Sequence, residues 1–470
     1  MRIFRGFLVA FVAIALGACA TTYNLPLNKP AAAPVLHLAG AAGATSGPRD
    51  DSTIIGLSFS GGGTRAAAFA YGVLDELAHT PSPGRGKNGG DLIDHIGVVS
   101  GVSGGAILAA YFGLKGRGAV ADFRERFLHQ DLMSQLQTSA DLINLGRAMG
   151  GGINTDNRMR DWLNANLYGD ATFGTLFAKR RPVVLINATD IYNRTPFLFA
   201  PLTFAAMCSD LSEYPLAAGV AASSAVPGVF APIVIETFPT ECRTPLPPQI
   251  QSVAKNAAAS PQLQAFARAL ERARSGRVKY IKLLDGGLVD NYGLSGITIA
   301  RAASGTPYGP LQPEEAVNLR RLLFLVVDAG RGPEGDWSQT LEGPAGKELI
   351  SAVVDVLVDA NSQSSYAAFE ATMRGWRDAM VRWRCGLKHE EVVRLRGGNA
   401  GPWNCRDLKI TVGRVAFGQL DAERARRLNA VPTSFTLPAD VVDDITRAGA
   451  DALKANTAYR EFLGDLGRNR

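Results

Sequence analysis

Ser103 stands in Gly101-Val102-Ser103-Gly104-Gly105, the G-x-S-x-G form of a nucleophile elbow. A hydroxyl held there can attack an acyl carbonyl if the backbone turns sharply enough to lift it clear of its neighbours. The flanking glycines serve that turn, because a Cβ would crowd a chain reversing from strand into helix. At the start of the following helix the dipole favours developing negative charge. Gly61-Gly62-Gly63 adds consecutive N–H groups unobstructed by side chains, which can hold the oxyanion of a tetrahedral acyl intermediate.

The hydroxyl also needs a base. The chain has five histidines, His37, His79, His95, His129 and His389, and none has a strand-end setting that would bring it to Ser103. Asp285 has one: Asp285-Gly286-Gly287 follows the apolar run Tyr280-Ile281-Lys282-Leu283-Leu284. The turn Gly61-Gly62-Gly63-Thr64-Arg65-Ala66 also fits a loose dinucleotide fingerprint, G-x-G-x-x-G/A. That fingerprint expects a carboxylate at the end of the next strand, and Val99-Ser100 supplies none. His389-Glu390-Glu391-Val392-Val393 begins like a zinc-protease helix but has valine where the second histidine belongs. No phosphate loop, EF-hand loop or C-x-x-C occurs, so neither a metal nor a cofactor is expected. A net charge of +6, spread along the chain, does not indicate nucleic acid.

Each group must be positioned by an element. Ile54 to Phe59 precedes the first glycine turn, Ile96 to Val99 precedes Ser103, and Ala-rich helical stretches follow both. Further core strands are read at Arg181 to Ala188, Leu322 to Asp328 and Leu408 to Val412. Alternation of apolar strands with helices predicts an α/β fold with a covered sheet. In a parallel sheet the strand C-termini share one edge, where ligands bind, so the three motifs are expected to meet there. Pro239 to Gly276 reads as an insertion, either a lid or a surface excursion.

These blocks, in this order, resemble the patatin-like phospholipases. A fourth block, Ala222-Ser223-Ser224-Ala225-Val226-Pro227-Gly228 to Pro232, agrees, and together they span Thr53 to Asn291. The resemblance implies a three-layer α/β/α fold with a mainly parallel central sheet and a more helical C-terminal region. It implies a dyad in which Ser103 is nucleophile and Asp285 general base, with Gly61, Gly62 and Gly63 as oxyanion hole. The substrates implied are acyl esters of phospholipids and related lipids. Other acyl esters, thioesters, acyl transfer or an inactive lipid-binding protein are the competing readings. The Gly-Gly-Gly-Thr-Arg form is similar to the cytosolic phospholipase branch, which makes Arg65 a candidate contact for lipid phosphate; the alternative is a salt bridge at the helix start. Asp290 and Asn291 read as residues that fix the loop.

The N-terminus reads as an export signal. Arg2 and Arg5 precede an apolar run, Phe7 to Leu16, too short to span a bilayer. Leu16-Gly17-Ala18-Cys19 resembles a bacterial lipobox, implying cleavage before a lipidated Cys19. Ala20, rather than aspartate, points to the outer membrane of a bacterial envelope. The domains expected are a signal peptide (1–18), a lipidated flexible tether (19–50), a catalytic domain (51–330) and a helical region packed on it (331–470). The remaining cysteines form an even set suited to an oxidising compartment. Local pairing, Cys208 with Cys242 and Cys385 with Cys405, is the simplest of three connectivities; four reduced thiols are the alternative.

Overall fold

The computed structural model describes residues 23–32, 52–82, 90–136, 151–179, 182–243, 245–256, 259–332 and 339–467. The export signal, Cys19 and His37 lie outside them. Eight strands form one mixed sheet: β1 (Thr53–Phe59), β2 (Ile96–Val102), β3 (Val183–Asp190), β4 (Thr195–Leu198), β5 (Ile233–Glu236), β6 (Tyr280–Asp285), β7 (Arg321–Asp328) and β8 (Lys409–Ala416). Their order is β5-β6-β3-β2-β1-β7-β8, with β4 paired to β3. The centre, from β3 to β8, is parallel. β4, β5 and β6 add antiparallel pairs at one end.

The central strands are apolar almost without interruption because both their faces are covered. In β1 and β7, Ile55, Leu57, Phe59, Leu323, Leu325 and Val327 point into one cluster. Their neighbours Ile54, Leu322, Phe324 and Val326 point into another on the opposite face. Period-two alternation thus feeds two cores, and helices close each.

On the first face lie α1 (Gly63–His79), α2 (Gly104–Lys115) and α3 (Leu216–Ser223). α1 carries alanine at 66, 67, 68 and 70, all buried. Small side chains suit a helix enclosed between the sheet and a second helix layer. The second layer is α8 (Ala439–Ala455). At Gly72 a Cβ would fall 1.9 Å from the Thr446 carbonyl oxygen, so the two helix backbones pass almost in contact. The opposite face is covered partly by α7, a helix of 41 residues from Gly346 to Gly386 that buries Phe369, Met373, Trp376 and Met380.

The C-terminal region is thus woven into the core rather than laid upon it. β8 extends the sheet by pairing with β7 over eight residues. The loop before α8 accepts the Thr64 N–H on the Ser434 carbonyl at 2.7 Å, bracing the glycine turn at the head of α1. The inserted stretch Pro239–Gly276 contributes α4 (Pro248–Lys255) and α5 (Pro261–Arg274). Ile250, Phe266 and Leu270 of these helices share a cluster with Leu198 of β4 and Ile299 of α6 (Ser295–Ala303), so this stretch packs at the antiparallel end of the molecule.

Residues 23–32, within the stretch expected to be a tether, are pinned to the body. Asn28 Nδ2 donates to the Glu236 carbonyl at 2.8 Å, and Asn28 Oδ1 accepts the Glu236 N–H at 3.0 Å. Asn24 Nδ2 reaches the Ala231 carbonyl at 3.0 Å, and Ala31 N–H donates to the Cys208 carbonyl at 2.8 Å. The physical reason is the edge strand β5, whose unpaired backbone groups need partners. Composition could not reveal this, because asparagine side chains rather than an apolar pattern make the contacts.

Cys208 is bonded to Cys242 and Cys385 to Cys405, with Cα separations of 5.2 and 5.0 Å. Loops of 34 and 20 residues correspond to about 3–4 kcal/mol of stabilisation each in the chain-entropy picture. No helix among the described residues is long and apolar enough to cross a membrane.

Candidate active site

Ser103 is the single residue between β2 and α2. Its backbone stands at φ 51° and ψ −124°, a strained conformation for a residue with a Cβ. The turn persists because both sides hold it. The Ser103 N–H donates to Ser223 Oγ at 2.9 Å, and that hydroxyl donates to the Asn187 carbonyl at 2.6 Å. The Ser103 carbonyl accepts from Ala106 and Ile107 at 2.9 and 3.2 Å, opening α2. At Gly104 a Cβ would fall 1.9 Å from the Gly63 carbonyl oxygen. Glycine is required there because the two glycine turns lie against each other.

Asp285 closes β6. Its direction differs from expectation: β6 runs antiparallel to β3, pairing Asp285 with Ala188. The site assembles all the same because β3 extends beyond β2. Val102 ends level with Asn187, and β6 meets the overhang from Ala188 to Asp190. Asp285 is thereby delivered one residue along from the end of β2, beside Ser103.

The Ser103 hydroxyl lies close enough to the Asp285 carboxylate to lower its pKa. Asp285 Oδ1 also accepts the Gly287 N–H at 2.8 Å. Burial pushes the Asp285 carboxyl up to about 6, against the lowering effect of these two donors. This is a stronger base than an ordinary aspartate, whose pKa is about 3.9. Ser223 clamps both partners: its hydroxyl takes the Ser103 N–H, and its carbonyl takes the Gly286 N–H at 3.2 Å.

The glycine turn is not uniform. The Gly61 N–H is engaged by Asn291, lying 3.1 Å from both its carbonyl and its Oδ1. Gly61 therefore fixes the turn and offers no donor to a substrate. Gly62 and Gly63, at φ 136° and 60°, have N–H groups without a partner among the described residues. They lie at the N-terminus of α1, against Gly104.

A family described as patatin-like phospholipase matches residues 57–296, a span that contains both glycine turns, Ser103, Ser223, Asp285 and Asn291. The chain belongs to the patatin-like phospholipase family. Two solved structures are similar to it. Human GIVD cytosolic phospholipase A2 is 12% identical, with a TM-score of 0.39, covering 89% of this chain and 63% of that one. VipD from Legionella pneumophila is 14% identical, with a TM-score of 0.34, covering 97% of this chain and 73% of that one. The chain thus spans somewhat less than two thirds of the human enzyme's length. No curated protein matches the sequence.

Within this patatin-like site, Arg65 does not stand where a lipid phosphate would meet it. It is only 2% exposed, and its Nη1 donates to the Val431 carbonyl. Burial and the neighbouring Arg331 lower its pKa to about 10. Its physical role is to brace the glycine turn from beneath, together with the Ser434 contact. The described histidines are engaged elsewhere or distant in the fold. His95 Nε2 lies 2.7 Å from Ser82 Oγ, His129 faces Asp443, His79 faces Asp75, and His389 begins a separate helix.

Asn291 and Asp290 fix the loop after Asp285. Asp290 Oδ2 accepts the Ser295 N–H at 2.6 Å, and Asn291 holds Gly61. Ser223 and Asn187 were not singled out from sequence. Ser223 lay inside a recognised block, but its contacts span β2, β3 and β6, and nothing local encodes them.

Proposed function

We propose that this chain hydrolyses carboxylic esters of acyl lipids, with Ser103 as nucleophile and Asp285 as general base. The observation that carries the reading is the Ser103 hydroxyl, held at a strained strand-to-helix turn, beside a carboxylate whose pKa is raised to about 6. At neutral pH that carboxylate is ionised and can take the hydroxyl proton as Ser103 Oγ attacks the ester carbonyl. The oxyanion formed is stabilised by the N–H groups of Gly62 and Gly63, helped by the helix starts behind both turns. Collapse of the tetrahedral intermediate expels the alcohol, which takes the proton from Asp285 and leaves an acyl-serine. A water then gives its proton to Asp285 and attacks the acyl-serine; release of the fatty acid returns that proton to Ser103. Family membership supports lipids as the substrate class.

The direct test is trapping. A fluorophosphonate probe should add one phosphonyl group to the peptide containing Ser103, and labelled protein should no longer release fatty acid from phospholipid micelles. Labelling of another serine, with hydrolysis lost, would move the nucleophile elsewhere.

We further propose that the protein is held to a bacterial envelope membrane through lipid on Cys19, with the outer membrane as destination. The charged start, short apolar run and Leu16-Gly17-Ala18-Cys19 ending support this. Mass spectrometry of the mature N-terminus should find a diacylglyceryl cysteine at residue 19. Cys19→Ser should accumulate as unprocessed precursor without lipid. An unmodified cysteine, or cleavage elsewhere, would remove the anchor from the proposal without touching the catalytic reading.

A further inference from the structure

Beside the catalytic turn, at the C-terminal edge of β1, β7 and β8, lies a polar cavity of about 180 Å³. Asn291 is the shared wall: its side chain grips Gly61 on the catalytic side and lines the cavity on the other. Asp328, Arg331, Asp359, Ser362 and Arg414 complete the polar lining. The catalytic chemistry described above uses none of these five residues.

Charges of both signs meet here. Arg414 lies 3.7 Å from Asp328, and Arg331 lies 3.7 Å from Asp355 behind the wall. Arg65 lies close enough to feel Arg331, Asp328 and Asp355. Within the lining, Arg331 and Arg414 stand with Asp328 and Asp359. The lining is neutral overall yet carries both signs, which disfavours a bare anion or a bare cation and favours a ligand carrying both charges.

Two groups are left over. Ser362 Oγ is buried, the residue being 3% exposed, and has no hydrogen-bond partner among the described residues. A buried hydroxyl in that state calls for a ligand or water. Asp359 is exposed at the mouth and has no cationic or hydrogen-bonding partner among the described residues. Partial burial of the carboxylate, followed by the nearby Asp328 and Asp355, raises its pKa. A cation at the mouth would relieve that crowding of carboxylates.

We infer that this cavity is the subsite for a zwitterionic headgroup, a phosphate joined to a terminal ammonium, of the lipid whose ester Ser103 attacks. The inference rests on the hydrolase reading and specifies its substrate. Arg331 and Arg414 meet the phosphate oxygens, the Ser362 hydroxyl supplies a further hydrogen bond, and Asp359 meets the ammonium.

Two measurements test it. The first compares kcat/KM on short-chain phosphatidylethanolamine and phosphatidylglycerol with identical acyl chains. The wild-type protein should favour the ethanolamine lipid by about fivefold, in keeping with one partly exposed ion pair. Asp359→Asn should bring the ratio close to one, and Asp359→Lys should reverse it. The second measures binding of soluble phosphoethanolamine and of glycerol phosphate to Ser103→Ala protein by calorimetry, where no turnover is needed. Phosphoethanolamine should bind more tightly, and Asp359→Asn should erase the difference. Equal use of the two lipids by active wild type, or a preference unchanged in both Asp359 variants, would overturn the inference. So would binding of phosphoethanolamine that depends on Asp359 without any lipid preference, since the site would then serve a free ligand. If wild type cleaves no ester at all, the hydrolase reading fails instead, and the calorimetric arm still judges the cavity.

Discussion

Ser103→Ala is expected to reduce ester hydrolysis by at least about 10³-fold while leaving the fold intact. The hydroxyl lies beside Asp285 and contributes little packing, because the turn is held through the Ser103 backbone and Ser223. Circular dichroism and the thermal midpoint should therefore change little. Ser103→Gly provides a control on the strained turn. It should be equally inactive yet more stable than the alanine variant by about 1 kcal/mol, because glycine relieves strain at φ 51°. Histidine-to-alanine changes at 79, 95, 129 and 389 should each leave substantial activity. A folded Ser103→Ala protein with unaltered turnover would reject the nucleophile, and a histidine variant as inactive as it would replace the dyad with a triad.

Asp285→Asn should cost a comparable factor in turnover and move stability the other way. The carboxyl titrates near 6 in the folded protein because it is buried, against about 3.9 in an unfolded chain. The folded state therefore holds this proton more tightly. Stability falls as pH rises from about 4 to about 6, and above 6 the ionised group costs the fold a constant amount of about 1–3 kcal/mol. Asparagine can keep the Gly287 N–H contact without the charge. The variant should thus resist urea better than wild type at pH 7.5 and lose that advantage below about pH 4. Wild-type kcat/KM should rise through about pH 6 and level off above it, since the ionised form is the base. A rate independent of pH between 5 and 8, or an asparagine variant less stable at pH 7.5, would show that Asp285 is not a buried working base.

Most of the site was legible because its parts are local. A glycine run after a strand and a G-x-S-x-G pentapeptide each declare themselves within a few residues. The alternating apolar faces of β1 and β7 likewise make a covered sheet readable. What escaped the sequence depends on register between distant segments. Tyr280 to Leu284 reads as a strand whichever neighbour it meets, so its antiparallel direction comes only from the overhang of β3. The loss of Gly61 as a donor is invisible without Asn291, which arrives some 230 residues later. Arg65 looked available because charged residues usually face water, and only the Val431 and Ser434 contacts show that the chain's far end closes over it. The base strength of Asp285 is likewise a property of burial, which residue type alone does not report.

The pinned segment 23–32 decides how far the protein can roam. A free chain from Cys19 to Ser52 would reach about 110 Å when fully extended, enough to span a wide gap between two membranes. With the chain fastened beside β5 from Asn24 onward, only five residue steps separate Cys19 from the folded body, about 18 Å at most. If Cys19 carries lipid as proposed, the body rides against the leaflet that holds its anchor, with the β5 edge turned toward it. Its substrates would then be that leaflet's lipids, and a membrane across the gap would lie beyond its radius.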